Sequence, residues 1–310
     1  MDEFALIRRY FAQLTLDGEG VVLGIGDDAA LLRPSSGCEL VVTSDTLVAG
    51  RHFPDTTTPF DIGWKSLAVN LSDLAAMGAR PRWCTLALTL PEADASWLDG
   101  FAAGFAALAR VHRCALVGGD TTRGALSITI TALGEVPAGR ALRRDGARIG
   151  DAICVTGTLG DAALALRLGA AAVPELRARL DRPQPRIAAG LALRDIAHAA
   201  LDLSDGLIGD LQHILDASGV GATLDVDALP MSPAFARLTT AGTRRADQLA
   251  GGDDYELCIC LPEDTLDRAR AALDVPLTRI GRIDAAPGLR LVDAQGHSIT
   301  PSFTAYRHFS

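Results

Sequence analysis

The chain has 310 residues, of which 48% are apolar and 22% charged, with a formal net charge of −9. That is enough length for one large or two ordinary domains, in the composition of a globular protein rather than a disordered one. The acidic balance excludes the broad basic surface that nucleic-acid backbones require, but leaves open a small anionic substrate whose charge is met by metal ions.

Taken in chain order, apolar periodicity predicts helices over 3–14, 60–77, 94–112, 160–169, 185–200, 206–217 and 263–273. Between them, β-branched or alternating runs predict strands over 38–43, 82–90, 114–118, 125–135, 151–156, 222–226, 255–261 and 289–293. The interleaving indicates an α/β or α+β protein. A charged, glycine-containing stretch, PAGRALRRDGARIGD (137–151), interrupts the pattern. It places a junction over 138–150, between an N-terminal domain (1–137) and a C-terminal α/β domain (151–310). No run reaches the roughly 18–20 uninterrupted apolar residues of a membrane span. The N-terminal MDEFALIRRYF carries acids ahead of its apolar residues, unlike a signal peptide. The six cysteines sit mostly in apolar runs without C-x-x-C spacing, as buried thiols of a reducing compartment do. A cytoplasmic protein is expected.

Six segments set an acidic residue among glycine, serine or threonine beside an apolar run: GIGDDAAL (24–31), VVTSDT (41–46), VNLSDLAAMG (69–78), VGGDTTRG (117–124), LDLSDGL (201–207) and LAGGDDYELC (249–258). Carboxylates and hydroxyls at such positions are good oxygen ligands for Mg²⁺, which is usually held by a few carboxylates together with substrate phosphates. Each segment alone also reads as ordinary structure. Thr43, Ser44 and Asp45 close a predicted strand, where they can ligate a cation or form an Asx turn or cap. On the predicted helix over 60–77, Trp64, Leu67, Leu71, Leu74 and Ala75 form the buried stripe, while Ser66, Asn70 and Asp73 share another face. That face is either solvated or ligand-binding. Gly118 and Gly119 would let backbone amides approach a phosphate beside Asp120, or make a plain tight turn. Asp202 and Asp205 flank a strand-to-helix transition, where Ser204 or Asp205 can also cap the helix. GIGDDAAL adds Asp27 and Asp28. The number of such segments, more than any one of them, points to metal ions gathered around a polyphosphate.

Other chemistries find less support. Lys65 is the one lysine among 29 basic residues, and it lacks the preceding glycines of a Walker loop. The histidines show neither H-x-x-x-H nor H-E-x-x-H spacing, there is no G-x-S-x-G elbow, and GIGDD departs from G-x-G-x-x-G at its last position. His52, in VAGRHFP, follows the TSDT segment closely enough to touch what binds there, though a lone loop histidine is also commonly incidental.

In their order, GIGDDAAL, TSDTLVAGRHF, K-x-LAVNLSDLAAMGA, LALTLP, GGDTTRG, VTGTLGD, DLSDGL, GGDDYELC and the C-terminal YRHF resemble the thiamine-monophosphate kinase family over nearly the whole chain. The wider superfamily, with aminoimidazole ribonucleotide synthetase, selenophosphate synthetase and a hydrogenase-maturation protein, shares the acidic-turn architecture but not the full set. The resemblance implies a two-domain aminoimidazole ribonucleotide synthetase-like fold whose N-terminal sheets pair in a homodimer. It further implies ATP as co-substrate, several Mg²⁺ ions, and conversion of thiamine monophosphate to thiamine diphosphate. By family match the metal ligands would be Asp28, Thr43 or Ser44, Asp45, Asp73, Asp120, Asp202 and Asp205. Gly119, Asp120, Arg144 and Ser204 would contact ATP, and His52, Asp253 and Tyr306 the thiamine substrate. The family usually reads GGEDYEL, so Asp253 stands where a glutamate is expected.

Such a reaction would proceed by in-line attack of the substrate phosphate on the γ-phosphoryl group. The nucleophile is already anionic, so no side chain is expected to act as general acid or base. Two rivals remain at this level: a synthetase that activates a carbonyl with ATP, and a maturation protein that binds ATP without acting on thiamine monophosphate.

Overall fold

The computed structural model describes residues 3–15 and 18–300. The chain divides into two compact units. One comprises residues up to Leu74 together with Ala79–Gly139; the other comprises Ala75–Gly78 and the chain from Arg140 onward.

In the N-terminal unit the elements are α1 (Glu3–Tyr10), β1 (Val21–Leu23), β2 (Leu31–Leu32), β3 (Cys38–Val48), α2 (Pro59–Ala76), β4 (Arg80–Leu90), α3 (Ala95–His112), β5 (Ala115–Arg123) and β6 (Ser127–Pro137). Four strands form a sheet in the order β3-β6-β4-β5, with β4 and β5 parallel and the other pairs antiparallel. A parallel pair needs a crossover, and α3 supplies it between β4 and β5. Asp94 starts α3 by accepting N–H bonds from Ser96 and Trp97. The helices bury Leu67, Leu71, Leu74, Leu98, Phe101, Phe105 and Leu108 at 0% exposure. Each such side chain contributes about 1.5–3 kcal/mol relative to exposure.

Along β3, Leu40, Val42, Ser44, Thr46 and Val48 are exposed while alternate residues are more buried. One face of this sheet carries helices; on the other, Val21, Ala30 and Leu32 pack over Trp83, Ala115 and Val117, while the β3 side lies open.

The second unit holds β7 (Ala152–Thr156), α4 (Asp161–Leu168), α5 (Pro174–Asp181), α6 (Ile187–Leu193), β8 (Ala199–Asp202), α7 (Leu207–Ser218), β9 (Gly221–Asp225), α8 (Pro233–Leu238), α9 (Ala241–Ala250), β10 (Leu257–Leu261), α10 (Leu266–Ala271), β11 (Leu277–Asp284) and β12 (Gly288–Val292). Its sheet runs β12-β9-β11-β7-β10-β8 and is antiparallel except at β12/β9. On α7, Leu207, Leu211, Ile214 and Leu215 repeat at helical spacing and pack in one core cluster with Ile153, Val155, Leu201, Leu224 and Cys258.

The mixed α/β architecture agrees with the expectation from sequence, with differences in detail, among them the short strands β1 and β2, which were not expected. Strands β3 and β5 run well past the ends expected for them, through TSDT and GGDTTR, because the backbone groups of these polar residues pair with β6 and β4. The helix expected over 185–200 stops at Leu193, and Ala199–Asp202 is instead a strand paired to β10. Strand β11 was not anticipated; Gly281 and a register shift between Arg279 and Gly281 break its alternation. Short helices α5, α8 and α9 also escaped the periodicity.

Candidate active site

Strand β3 and helix α2 bring together four of the expected polar residues. Thr43 Oγ1 donates to Asp73 Oδ2 at 2.5 Å, and the Asp45 N–H donates to Asn70 Oδ1 at 3.1 Å. Asn70 and Ser66 are 0% and 1% exposed, with Asn70 donating to the Ser66 carbonyl and Ser66 to that of Gly63. The polar face of α2 is thus not a solvated stripe: Ser66 and Asn70 are buried, and the half-buried Asp73 is bonded from β3. Ser44 lies on the opposite face of β3, where its hydroxyl meets Thr131 at 3.0 Å. Of the pair Thr43 and Ser44, the former is the one that shares a location with Asp73.

A second group surrounds a cleft of about 660 Å³ in the same unit. It is bordered by Ile7 and Arg8 of α1, Phe11 just after it, the 25–30 loop, Thr85 and Leu86 of β4, and Leu116–Thr121 of β5. Asp28, Gly119 and Asp120 all line it, together with Asp27. The Asp28 N–H is held by Asp27 Oδ1 at 2.8 Å. Gly119 has φ +149°, and a Cβ there would lie 1.8 Å from the Leu86 carbonyl oxygen. Only glycine lets β5 lie against β4 at this point, which brings Asp120 to the cleft. His52 is clipped to the end of β3, its Nδ1 accepting the Val48 N–H at 3.0 Å.

In the second unit, β8 ends at Asp202, which is 7% exposed. Ser204 and Asp205 form the turn into α7. Asp210 accepts backbone N–H bonds from Ser204, Asp205 and Gly206. Burial pushes the Asp210 carboxyl up to about 7, against the opposing effect of those N–H groups. Asp253 has φ +68°, an uncommon conformation for a residue with a Cβ. Burial likewise raises the neighbouring Asp254 well above the usual carboxylate range; its oxygens accept the Gly160 N–H at 2.9 and 3.2 Å. Glu256 is 0% exposed and accepts from Thr156, Arg179 and Arg186. Arg144 is exposed in a single 3₁₀ turn, Arg144–Gly146. Tyr306 and the YRHF segment lie outside the described residues.

Sequence reasoning overlooked Asp210, Asp254, Glu256 and the arginines that meet Glu256. Asp254 and Glu256 lay within the GGDDYELC segment already singled out. Asp210, four residues after the N-cap Gly206, carried the signal of an acid in a first helical turn.

The donors throughout are carboxylate, hydroxyl and backbone oxygens, the hard set that suits Mg²⁺ rather than a soft metal. Among the described residues, no three His, Cys, Asp or Glu side chains gather closely enough to hold a metal ion by themselves. An octahedral cation on such sparse groups needs phosphates and water to complete its shell, as Mg²⁺ at nucleotide sites does.

Comparison with known proteins agrees with this architecture. Residues 26–136 match the AIR synthase related protein N-terminal domain, and residues 148–294 its C-terminal domain. The thiamine-monophosphate kinase of Salmonella typhimurium is 51% identical, with 99% of this chain and 98% of the relative covered. That of Escherichia coli K12 is 48% identical at the same coverage. The crystal structure of thiamine-monophosphate kinase from Stenotrophomonas maltophilia K279a superposes with a TM-score of 0.89 at 54% identity, covering 96% of this chain and 98% of that one. AaThiL complexed with AMPPCP and TMP superposes at 0.77 with 30% identity, covering 99% and 97%. The fold is that of an AIR synthase related protein. Within that class, the chain belongs to the thiamine-monophosphate kinase family and is an enzyme.

Proposed function

We propose that this enzyme transfers the γ-phosphoryl group of ATP to thiamine monophosphate, giving thiamine diphosphate and ADP, the last step in making that cofactor. The observation that carries this reading is the end-to-end match to thiamine-monophosphate kinases, 51% identical over 99% of the chain. The acidic turns fall within that match. The likeness to a relative complexed with AMPPCP and TMP supports a nucleotide and a thiamine phosphate as its two ligands.

Asp28, Thr43, Asp45, Asp73, Asp120, Asp202 and Asp205 would hold Mg²⁺, with Ser44 the alternative to Thr43. When bound, the ions neutralise charge on the phosphates and keep them in line. The chain's own residues supply the rest. Gly119 exposes backbone where a phosphate can come close, and Ser204 and Arg144 add a hydroxyl and a fixed positive charge toward ATP. His52, Asp253 and Tyr306 orient the thiamine phosphate. Nδ1 of His52 accepts the Val48 N–H, which sets the ring at the end of β3. No side chain needs to take a proton, because the attacking oxygen is already anionic. Catalysis in this reading is positioning and charge compensation.

The open face of the N-terminal sheet, with Leu40 45% and Val42 59% exposed, supports a homodimer paired through it. No described helix is long and apolar enough to cross a membrane. We place the enzyme in the cytoplasm, where ATP is supplied.

The test is to incubate the purified protein with ATP, Mg²⁺ and thiamine monophosphate and to resolve the products by chromatography. ADP and thiamine diphosphate in equal amounts are expected. Inorganic phosphate without thiamine diphosphate would favour the synthetase reading, and ATP binding without turnover the maturation reading.

A further inference from the structure

Two turns of the second unit are joined into one hydrogen-bonded piece. Asp210, the fourth residue of α7, is 5% exposed. Its Oδ2 accepts the N–H groups of Ser204, Asp205 and Gly206 at 3.0, 3.0 and 3.1 Å. A single oxygen thereby sets three consecutive peptide planes. The carbonyl side of the same stretch is taken by the Gly252–Glu256 turn. The Asp253 N–H donates to the Ser204 carbonyl at 2.9 Å and the Tyr255 N–H to that of Leu203 at 2.8 Å, while the Leu203 N–H donates to the carbonyl of Glu256 at 2.8 Å.

The second turn holds a conformation that its residues would not choose alone. Asp253 and Tyr255 have φ of +68° and +50°. Non-glycine residues stay in that region only where their surroundings over-determine them. Here the bonds to Leu203 and Ser204 do so from one side. On the other side, the Glu256 carboxylate is fixed by Thr156 at 2.6 Å, Arg179 at 2.7 Å and Arg186 at 2.6 Å. The turns also meet backbone to backbone: a Cβ on Gly252 would lie 2.5 Å from the Ser204 carbonyl oxygen. Whatever displaces Ser204 must displace Asp253 with it.

We propose that Asp210 is a positioning residue for both substrates, setting Ser204 and Asp205 for the nucleotide directly and Asp253 for the thiamine phosphate through the Ser204 carbonyl. This rests on the assignment of those residues under Proposed function. An acid that merely stabilised the start of α7 would change the melting temperature and leave ligand affinities alone.

Calorimetric titration of the full-length protein with Mg²⁺–AMPPCP and, separately, with thiamine monophosphate tests it. Asp210→Ala is expected to weaken both ligands by about 10-fold or more, as loss of an orienting partner does. Asp210→Asn, which keeps an oxygen acceptor for the three N–H groups, is expected to bring both affinities back toward wild type. Asp205→Ala should weaken the nucleotide alone, and Asp253→Ala the thiamine phosphate alone. A folded Asp210→Ala protein that keeps wild-type affinity for either ligand overturns the proposal while leaving the site assignment standing. Unchanged affinities in Asp205→Ala and Asp253→Ala would overturn the assignment, and the proposal with it. Should circular dichroism show Asp210→Ala unfolded, Gly252→Ala presses on the same carbonyl from the other turn. Weakening of both ligands in that variant supports the link, and a loss confined to thiamine phosphate refutes it.

Discussion

Asp73 and Asp120 do different work to be available. Asp73 sits on a helix whose polar face is buried, and its Oδ2 is met by Thr43. Asp120 sits on β5 at the rim of an open cleft, brought there because Gly119 permits close contact with Leu86. In the proposed phosphoryl transfer both carboxylates would act through charge rather than shape. Asp73→Asn and Asp120→Asn, nearly isosteric and neutral, should each lower kcat by about 100- to 1,000-fold, the cost of removing one preorganised electrostatic contact. Steady-state assay of thiamine diphosphate formation beside a thermal melt checks this. The melts should stay close to wild type, and turnover within a few-fold of wild type in either variant would remove both residues from the site.

Among the elements, the turn between α9 and β10 depends most on a buried ionic group. Glu256 is wholly buried at its end, with Arg179 of α5 and Arg186 just before α6 both reaching the same carboxylate. Two helices that periodicity described poorly are thus tied to the start of β10 by charge. Truncating one member of such a group leaves the others buried without compensation, at about 3–5 kcal/mol. Glu256→Ala should lower the unfolding free energy by that amount in urea titration at unchanged m-value. A loss below about 1 kcal/mol would mean that the arginines find water instead. Strand β3 shows the opposite balance: its Thr-Ser-Asp-Thr stretch has little apolar content, and the unbroken register with β6 from Cys38↔Pro137 to Val48↔Ser127 keeps it extended.

At the scale of the whole molecule, the open sheet face is the feature most in need of a partner. Leu40, Val42 and Val48 alternate on it with Ser44 and Thr46, and the Thr46 hydroxyl pairs with that of Thr129 at 2.8 Å. In a homodimer formed through this face, a charge at its centre would be buried without a counter-ion. Val42→Asp should therefore convert the dimer into monomer in size-exclusion chromatography with light scattering. A variant that elutes as a dimer would exclude this face as the interface.

Much of this was legible in the chain itself. Apolar periodicity marks α2, α3 and α7, because a helix that buries one stripe must repeat its apolar residues near every 3.6 positions. The acidic turns mark the chemistry, because carboxylates among glycines and hydroxyls contribute little to a core. Their order along the chain identifies the family. What the chain could not disclose is the pairing. TSDT and GGDTTR read as turns, yet they extend strands, since their hydrogen bonds go to residues far away in sequence. Ala199–Asp202 lies in an alanine-rich run that favours a helix, and its register with β10 overrides that propensity. Thr43 and Ser44 are neighbours in sequence and on opposite faces in space, because side chains alternate along a strand. Asp210 shows in the sequence only as an acid in a first helical turn; that it closes the Ser204–Gly206 turn comes from the fold. Local composition determined which residues could serve the reaction, and long-range hydrogen bonding decided which of them stand together.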